Sequence, residues 1–176
     1  MKKKIFFVIA LCFGFILASL STAQAQNKIG VVNSQDVLEK SIEGKRVLSQ
    51  LADQDKKNQD QLAKLDEEIR KLETRLNTQR MTLSDEALMQ LNSDLTRKRT
   101  ERTRLSEDMA RDMQELQFRL YSRLQNELIP IIEQIGKEKG FDIIFDLRNS
   151  GAVYVNPAID ITEEVIKRYD AVKTKK

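Results

Sequence analysis

The stretch Leu62-Ala63-Lys64-Leu65-Asp66-Glu67-Glu68-Ile69-Arg70-Lys71-Leu72-Glu73-Thr74-Arg75-Leu76 carries its apolar residues at alternating steps of three and four. That spacing lays Leu62, Ile69 and Leu76 on one edge of a helical stripe and Leu65 and Leu72 on the other, the heptad pattern of a coiled coil. The pattern resumes at Leu88, Leu91 and Leu95, passes through two basic positions in phase, and continues at Leu105 and Met109. Between the runs the phase breaks at Met81-Thr82-Leu83-Ser84-Asp85-Glu86. Ser84 can cap a new helix there, and the acids after it suit the positive helix end. A reversal can be checked by arithmetic, because antiparallel partners around one turn have position numbers that add to a constant. Leu76 with Leu91, Leu72 with Leu95, Leu62 with Leu105 and Leu51 with Leu116 all add to 167. Ile69 with Lys98, Leu65 with Arg102 and Asn58 with Met109 give the same sum. The reading is a long antiparallel helical hairpin that turns near 83–84, with an arm over residues 51–127.

The first arm helix is expected from Asp36 to about Arg80 and the return helix from Ser84 to about Lys139. At about 1.5 Å per residue these would be roughly 65 Å and 85 Å long. The seam is imperfect: Asp55 and Asn58 on one strand of the hairpin, Lys98 and Arg102 on the other, stand where leucine would grip more tightly. Long basic side chains can lay their methylenes on the partner leucine and carry the charge outward, yet polar seam positions still weaken pairing. Beyond Met109 the spacing changes to Met113, Leu116, Leu120, Leu124 and Leu128, a stutter in the supercoil. Pro130 predicts a kink where the return helix enters the body, and Gly140 ends that helix.

Residues 26–50 and 128–176 read as a separate body. Ile29-Gly30-Val31-Val32 is a short β-type run. Phe141 to Leu147 is a longer one, in which Phe141, Ile143 and Phe145 are set against Asp142 and Asp146. Arg148-Asn149-Ser150-Gly151 offers turn chemistry before a third run, Ala152-Val153-Tyr154-Val155. A final helix starting near Asp160 or Thr162 would bury Val165, Tyr169 and Val172. The fold class is therefore mainly α, with a small body of short strands carrying the helical arm.

Residues 1–25 read as a cleavable export signal: Lys2, Lys3 and Lys4, an apolar run from Ile5 to Leu20, then Ala23-Gln24-Ala25 before the cut. An uncleaved anchor is the alternative, although 16 apolar residues fall short of the roughly 17–25 that span a bilayer. Bulky Leu11 before Cys12 argues against a lipoprotein cut. Removing the signal takes three of 30 basic residues and none of 27 acidic ones, so 30 − 3 = 27 leaves the remainder neutral. Within it, residues 69–105 hold nine basic and five acidic residues, a local excess of four positive charges.

The chain has no histidine, and Cys12 is its single cysteine. Most nucleophile–base pairs and transition-metal sites use one of these side chains, so those enzyme classes fall away. No glycine sits in a phosphate-cradling P-loop spacing. No catalytic residue, cofactor or metal site is assigned.

The order of export signal, Lys28-Ile29-Gly30-Val31-Val32-Asn33 strand, helical hairpin, Lys137 to Gly140, apolar strand and Asp160-Ile161-Thr162 opening a last helix resembles the Skp/OmpH family of outer-membrane-protein chaperones. The resemblance implies a jellyfish-like homotrimer joined through its bodies. Three arms would enclose a cavity that shelters unfolded outer membrane β-barrel proteins in the periplasm without ATP. One observation points the same way independently: about 70 body residues cannot bury a large core alone, so oligomerisation is expected. The chain departs from the family's usual strongly basic character.

Within that expectation Met81, Leu83 and Met89 at the tip could touch clients, as flexible methionines do on promiscuous surfaces, or could simply close the hairpin. Arg97, Lys98, Arg99, Arg102 and Arg104 could meet acidic client segments, lipopolysaccharide or anionic phospholipid headgroups, or could be a solvated face laced with acids. Ile29, Val31, Phe141, Ile143 and Phe145 could join subunits, pack within the chain, or both. Two rival functions share the arm: a coiled-coil envelope adaptor, and a basic nucleic-acid-binding protein. Export argues against the second, and no nucleic-acid partner is expected.

Overall fold

The structure is a computed structural model that describes residues 27–174; the export signal read over residues 1–25 lies outside the described residues. Its elements in order are β1 (Ile29–Val32), α1 (Ser34–Lys40), α2 (Ile42–Gln79), α3 (Asp85–Lys139), β2 (Ile143–Asp146), α4 (Leu147–Ser150), a 3-10 turn (Pro157–Ile159) and α5 (Thr162–Thr174). Among the described residues no helix is long and apolar enough to cross a membrane.

Helices α2 and α3 form the expected hairpin. They have 38 and 55 residues, or about 57 Å and 83 Å of axial rise. Ser84 caps α3, its Oγ accepting from the Ala87 N–H at 3.3 Å, with Asp85 and Glu86 in the first turn. The helix ends at Gly140, whose φ of 66° is the left-handed conformation that glycine adopts without a Cβ clash. Leu65, Leu91, Leu95 and Met109 are buried in the arm, and Leu62, Ile69, Leu72, Leu76 and Leu105 are half-buried. The body core lies elsewhere, around Val37, Val47, Leu124, Leu128, Ile135, Val165 and Tyr169.

Several expectations are corrected. The first arm helix is not continuous from Asp36: it breaks at Ser41, which ends α1 and caps α2, with Ser41 Oγ accepting from the Gly44 N–H at 3.0 Å. In the seam the half-buried polar residue preceding Asn58 is Gln54, while Asp55 is exposed. Gln54 donates to Asn58 at 2.9 Å, so the two amides satisfy each other inside the groove. The return helix, by contrast, has the expected extent: α3 continues through Pro130 to Lys139.

Residues 152–155 form no strand. Val153 and Tyr154 are exposed, and 147–150 is a helical turn rather than a hairpin bend. Among the described residues no strand pairs with this run, and strand propensity without a partner does not hold a strand. Val172 is also exposed; Ile166 takes the buried place on α5 beside Val165 and Tyr169.

The sheet therefore has two strands. β1 and β2 run parallel, pairing Ile29 with Ile143, Gly30 with Ile144, Val31 with Phe145 and Val32 with Asp146. Alternate residues share a face, so Gly30, Val32 and Ile144 turn toward α3, where Gly136 leaves room for Ile144. Ile29, Val31, Ile143 and Phe145 form the opposite face.

Candidate functional site

The feature that could act on another molecule is the arm, together with the root that aims it. Along the arm, bases on α3 reach acids on α2. Arg102 Nε lies 3.0 Å from Asp66, Lys98 Nζ 2.8 Å from Glu68 and Arg99 2.5 Å from Glu73. These pairs join positions adding to 168, 166 and 172, close to the constant expected from the leucines. Lys98 also meets Glu101 at 3.2 Å, and hydrogen bonds to Glu68 and Glu101 raise its pKa while Glu68 is held below the usual carboxylate range. Arg97 pairs with Asp94 at 3.0 Å on its own helix. Of the five bases singled out in the sequence, Arg104 alone has no ion pair among the described residues. Across residues 69–105 Arg70, Lys71, Arg97, Lys98, Arg99 and Arg102 are ion-paired, while Arg75, Arg80 and Arg104 are exposed with no ion pair among the described residues.

At the tip the structure separates the three apolar candidates. Met81 is 94 % and Met89 75 % exposed, while Leu83 is half-buried against the hairpin end. Nearer the root, Phe118 is 74 % exposed on α3, a feature not singled out in the sequence. An apolar groove of about 430 Å³ opens below it among Tyr121, Leu124, Leu128 and Ile132 of α3 and Leu38 of α1, with Arg148 and Asp146 at its rim.

The body's open sheet face divides in the same way. Ile29, Ile143 and Phe145 are each two-fifths or more exposed; Val31 is buried, because Asp160 bridges to it and the Ile161 N–H donates to its carbonyl at 2.9 Å. Phe141 leaves this face: it packs beside Gly30 under the ammonium of Lys28, 5.3 Å from the ring centre.

The root is held by polar contacts. Gly44 is pressed against α1 so closely that a Cβ there would lie 2.1 Å from the Leu38 carbonyl oxygen. From α5, Asp170 accepts the N–H of Ile42, the first residue of α2, at 2.9 Å. On α3, Glu127 Oε2 accepts from Tyr169 Oη and from Lys173 Nζ, both at 2.6 Å. Burial pushes the Glu127 carboxyl up, but hydrogen bonds from Lys173, Tyr169 and Arg123 outweigh it and hold the pKa at about 2. Burial first, and then Glu127, push the Tyr169 phenol up. The sequence held one clue to this cluster: a buried tyrosine hydroxyl needs a partner, and Glu127 sits next to Leu128 of the buried stripe.

Among the described residues no group of three or more potential ligands could hold a metal ion.

Comparison with known proteins follows the same outline. The model of the family described as "Outer membrane protein (OmpH-like)" matches residues 28–169. Chaperone protein Skp of Pectobacterium atrosepticum is 24 % identical over 159 residues, covering 88 % of this chain and 93 % of the relative. The protein of that name from Photorhabdus laumondii is 22 % identical, with coverage of 90 % and 95 %. A crystal structure from Caulobacter crescentus, described as that of a candidate outer membrane chaperone (OmpH-like), superposes with a TM-score of 0.74 at 22 % identity, over 84 % of this chain and 86 % of the other.

Proposed function

This chain belongs to the OmpH-like outer membrane protein family, and we propose that it is a non-catalytic periplasmic chaperone that holds unfolded outer membrane β-barrel proteins without ATP. The observation that carries this reading is the arm itself. Two paired helices extend far past the body core, their seam is interrupted by polar residues, and their tip exposes two methionines. A surface of that kind offers many weak apolar contacts without a fixed pocket, which suits clients that share no sequence.

Holding also requires keeping the edge strands of different clients apart, since these pair readily with one another. A space bounded by several arms would do this. Ile29, Ile143, Phe145, Val153 and Tyr154 leave apolar surface open in the single chain, and β2 has one unpaired edge among the described residues. Both features favour a homotrimer whose neighbouring bodies cover this surface. For lipopolysaccharide or phospholipid headgroups, Arg104 is the best remaining contact among the five bases from Arg97 to Arg104, because the other four are ion-paired.

The test is dilution of a urea-unfolded β-barrel protein into buffer with and without this protein at trimer-equivalent excess. Suppressed light scattering is expected; unchanged scattering would remove the reading in favour of a coiled-coil adaptor.

A further inference from the structure

Pro130 stands inside α3 on an exposed position, three residues after Glu127 and nine before the helix ends. Having no N–H, it leaves the Asn126 carbonyl without the bond that would close that turn, and its ring crowds the same carbonyl. The helix nevertheless continues, and α5 lies across the weak turn. On the arm side of Pro130, Tyr169 and Lys173 hold Glu127. On the body side, Arg168 holds Glu138 at 2.6 Å and Glu164 holds Lys139 at 2.8 Å. The apolar contacts straddle the proline too: Val165 and Tyr169 share one cluster with Leu124 and Leu128 before it and Ile135 after it. Asp170 meanwhile caps the first residue of α2.

We propose that α5 is a splint over the Pro130 turn, and that its last residues, Tyr169, Asp170 and Lys173, are a latch that fixes the direction of the arm. With the latch engaged, α3 is one stiff lever from body to tip. With it released, the arm pivots at residues 126–130 while the body stays folded. Release needs only polar contacts to break, because Tyr169 and Lys173 both bond one carboxylate, that of Glu127, while Val165 and Ile166 keep α5 on the core. The proposal rests on the chaperone reading only for its purpose, since a pivot would set how widely the space between arms opens.

The experiment compares the wild-type protein with Tyr169→Phe/Lys173→Ala, with Pro130→Ala, and with the combined variant. Hydrogen exchange is followed by mass spectrometry. Spin labels at Thr82→Cys and Lys167→Cys, in a Cys12→Ser background diluted with unlabelled chains, report the distance from tip to body. The latch variant is expected to speed exchange at residues 126–134 by about tenfold over β1 and α1 and to broaden the distance distribution, and adding Pro130→Ala is expected to reverse both. An equal rise in exchange throughout the body, no local change, or no reversal by Pro130→Ala would overturn the splint. If the double latch variant fails to fold, Lys173→Ala alone is judged by the same criteria. Failure of the wild-type protein to suppress client aggregation, with the exchange pattern as expected, would remove the chaperone reading and leave the splint standing.

Discussion

The guanidinium of Arg102 lies 3.0 Å from the carboxylate of Asp66, joining residues 36 apart in sequence across the two helices of the arm. Arg102 stands in a seam position, so its stem covers leucine surface while its charge leaves the groove toward an acid on the partner helix. The arm is thereby built from modest apolar packing fastened at its flanks by exposed ions. Exposed ion pairs are weak and salt-sensitive, which makes register, rather than gross stability, their main contribution.

Arg102→Glu should therefore lower the thermal midpoint of the arm only slightly at low ionic strength, and Arg102→Glu/Asp66→Arg should restore it. Both differences should fade in about 1 M salt, where the screening length is about 3 Å. Circular dichroism melts at two salt concentrations check this; a large, salt-independent loss would mean that Arg102 serves packing instead.

Leu95 is 5 % exposed in the seam. Leu95→Asp places a carboxylate among leucines and should destabilise the distal hairpin by about 2–4 kcal/mol. Helical signal should fall and protease should cut near the tip, while the cluster around Tyr169 stays protected. Loss of that protection as well would show that arm and body unfold as one unit.

Gly44 has no space for a side chain against the Leu38 carbonyl. Gly44→Ala should cost about 1–3 kcal/mol or more through forced separation of α1 from α2. Urea denaturation reads this out, and an unchanged midpoint would contradict the packing described at the arm root.

Glu127 gives a pH signature. Its folded pKa of about 2 lies below the ordinary 4.5, so its stabilisation is full above about pH 4.5 and is lost as pH falls toward 2. With its side chain 30 % exposed, the contribution at neutral pH is on the order of 1–3 kcal/mol. The stability difference between the wild-type protein and Glu127→Gln should be flat between about pH 5 and 8, where the chain has no histidine to titrate. It should shrink below about pH 4; a difference that grows on acidification would reverse the assigned sign.

Legibility in the sequence followed the range of the interaction. The arm could be read because its signal is local and repeated: Leu62 to Leu76 fixes one face, Ser84 marks the restart, and the common sum of 167 ties the two runs together. Ser41 and Gly44 were missed although both are local, because a seven-residue helix before the arm breaks no periodicity; the cap and the glycine three residues later were the available sign. Ala152 to Val155 has strand composition and yet forms no strand in the single chain, since β propensity needs a surface to pack on. Val172 follows helical spacing but falls past the edge of the core, whereas Ile166 lies over it. The clasp of Glu127 by Tyr169 and Lys173 joins α3 to α5, two helices that are not folded about one turn, so no common sum relates their positions.

Photo-crosslinking groups placed at Met89 and Phe118, with Lys167 on the outer side of α5 as the control, address where an unfolded β-barrel protein is held. Client adducts are expected from positions 89 and 118, with few from position 167. Adducts confined to position 167, or equal at all three, would contradict holding by the arm.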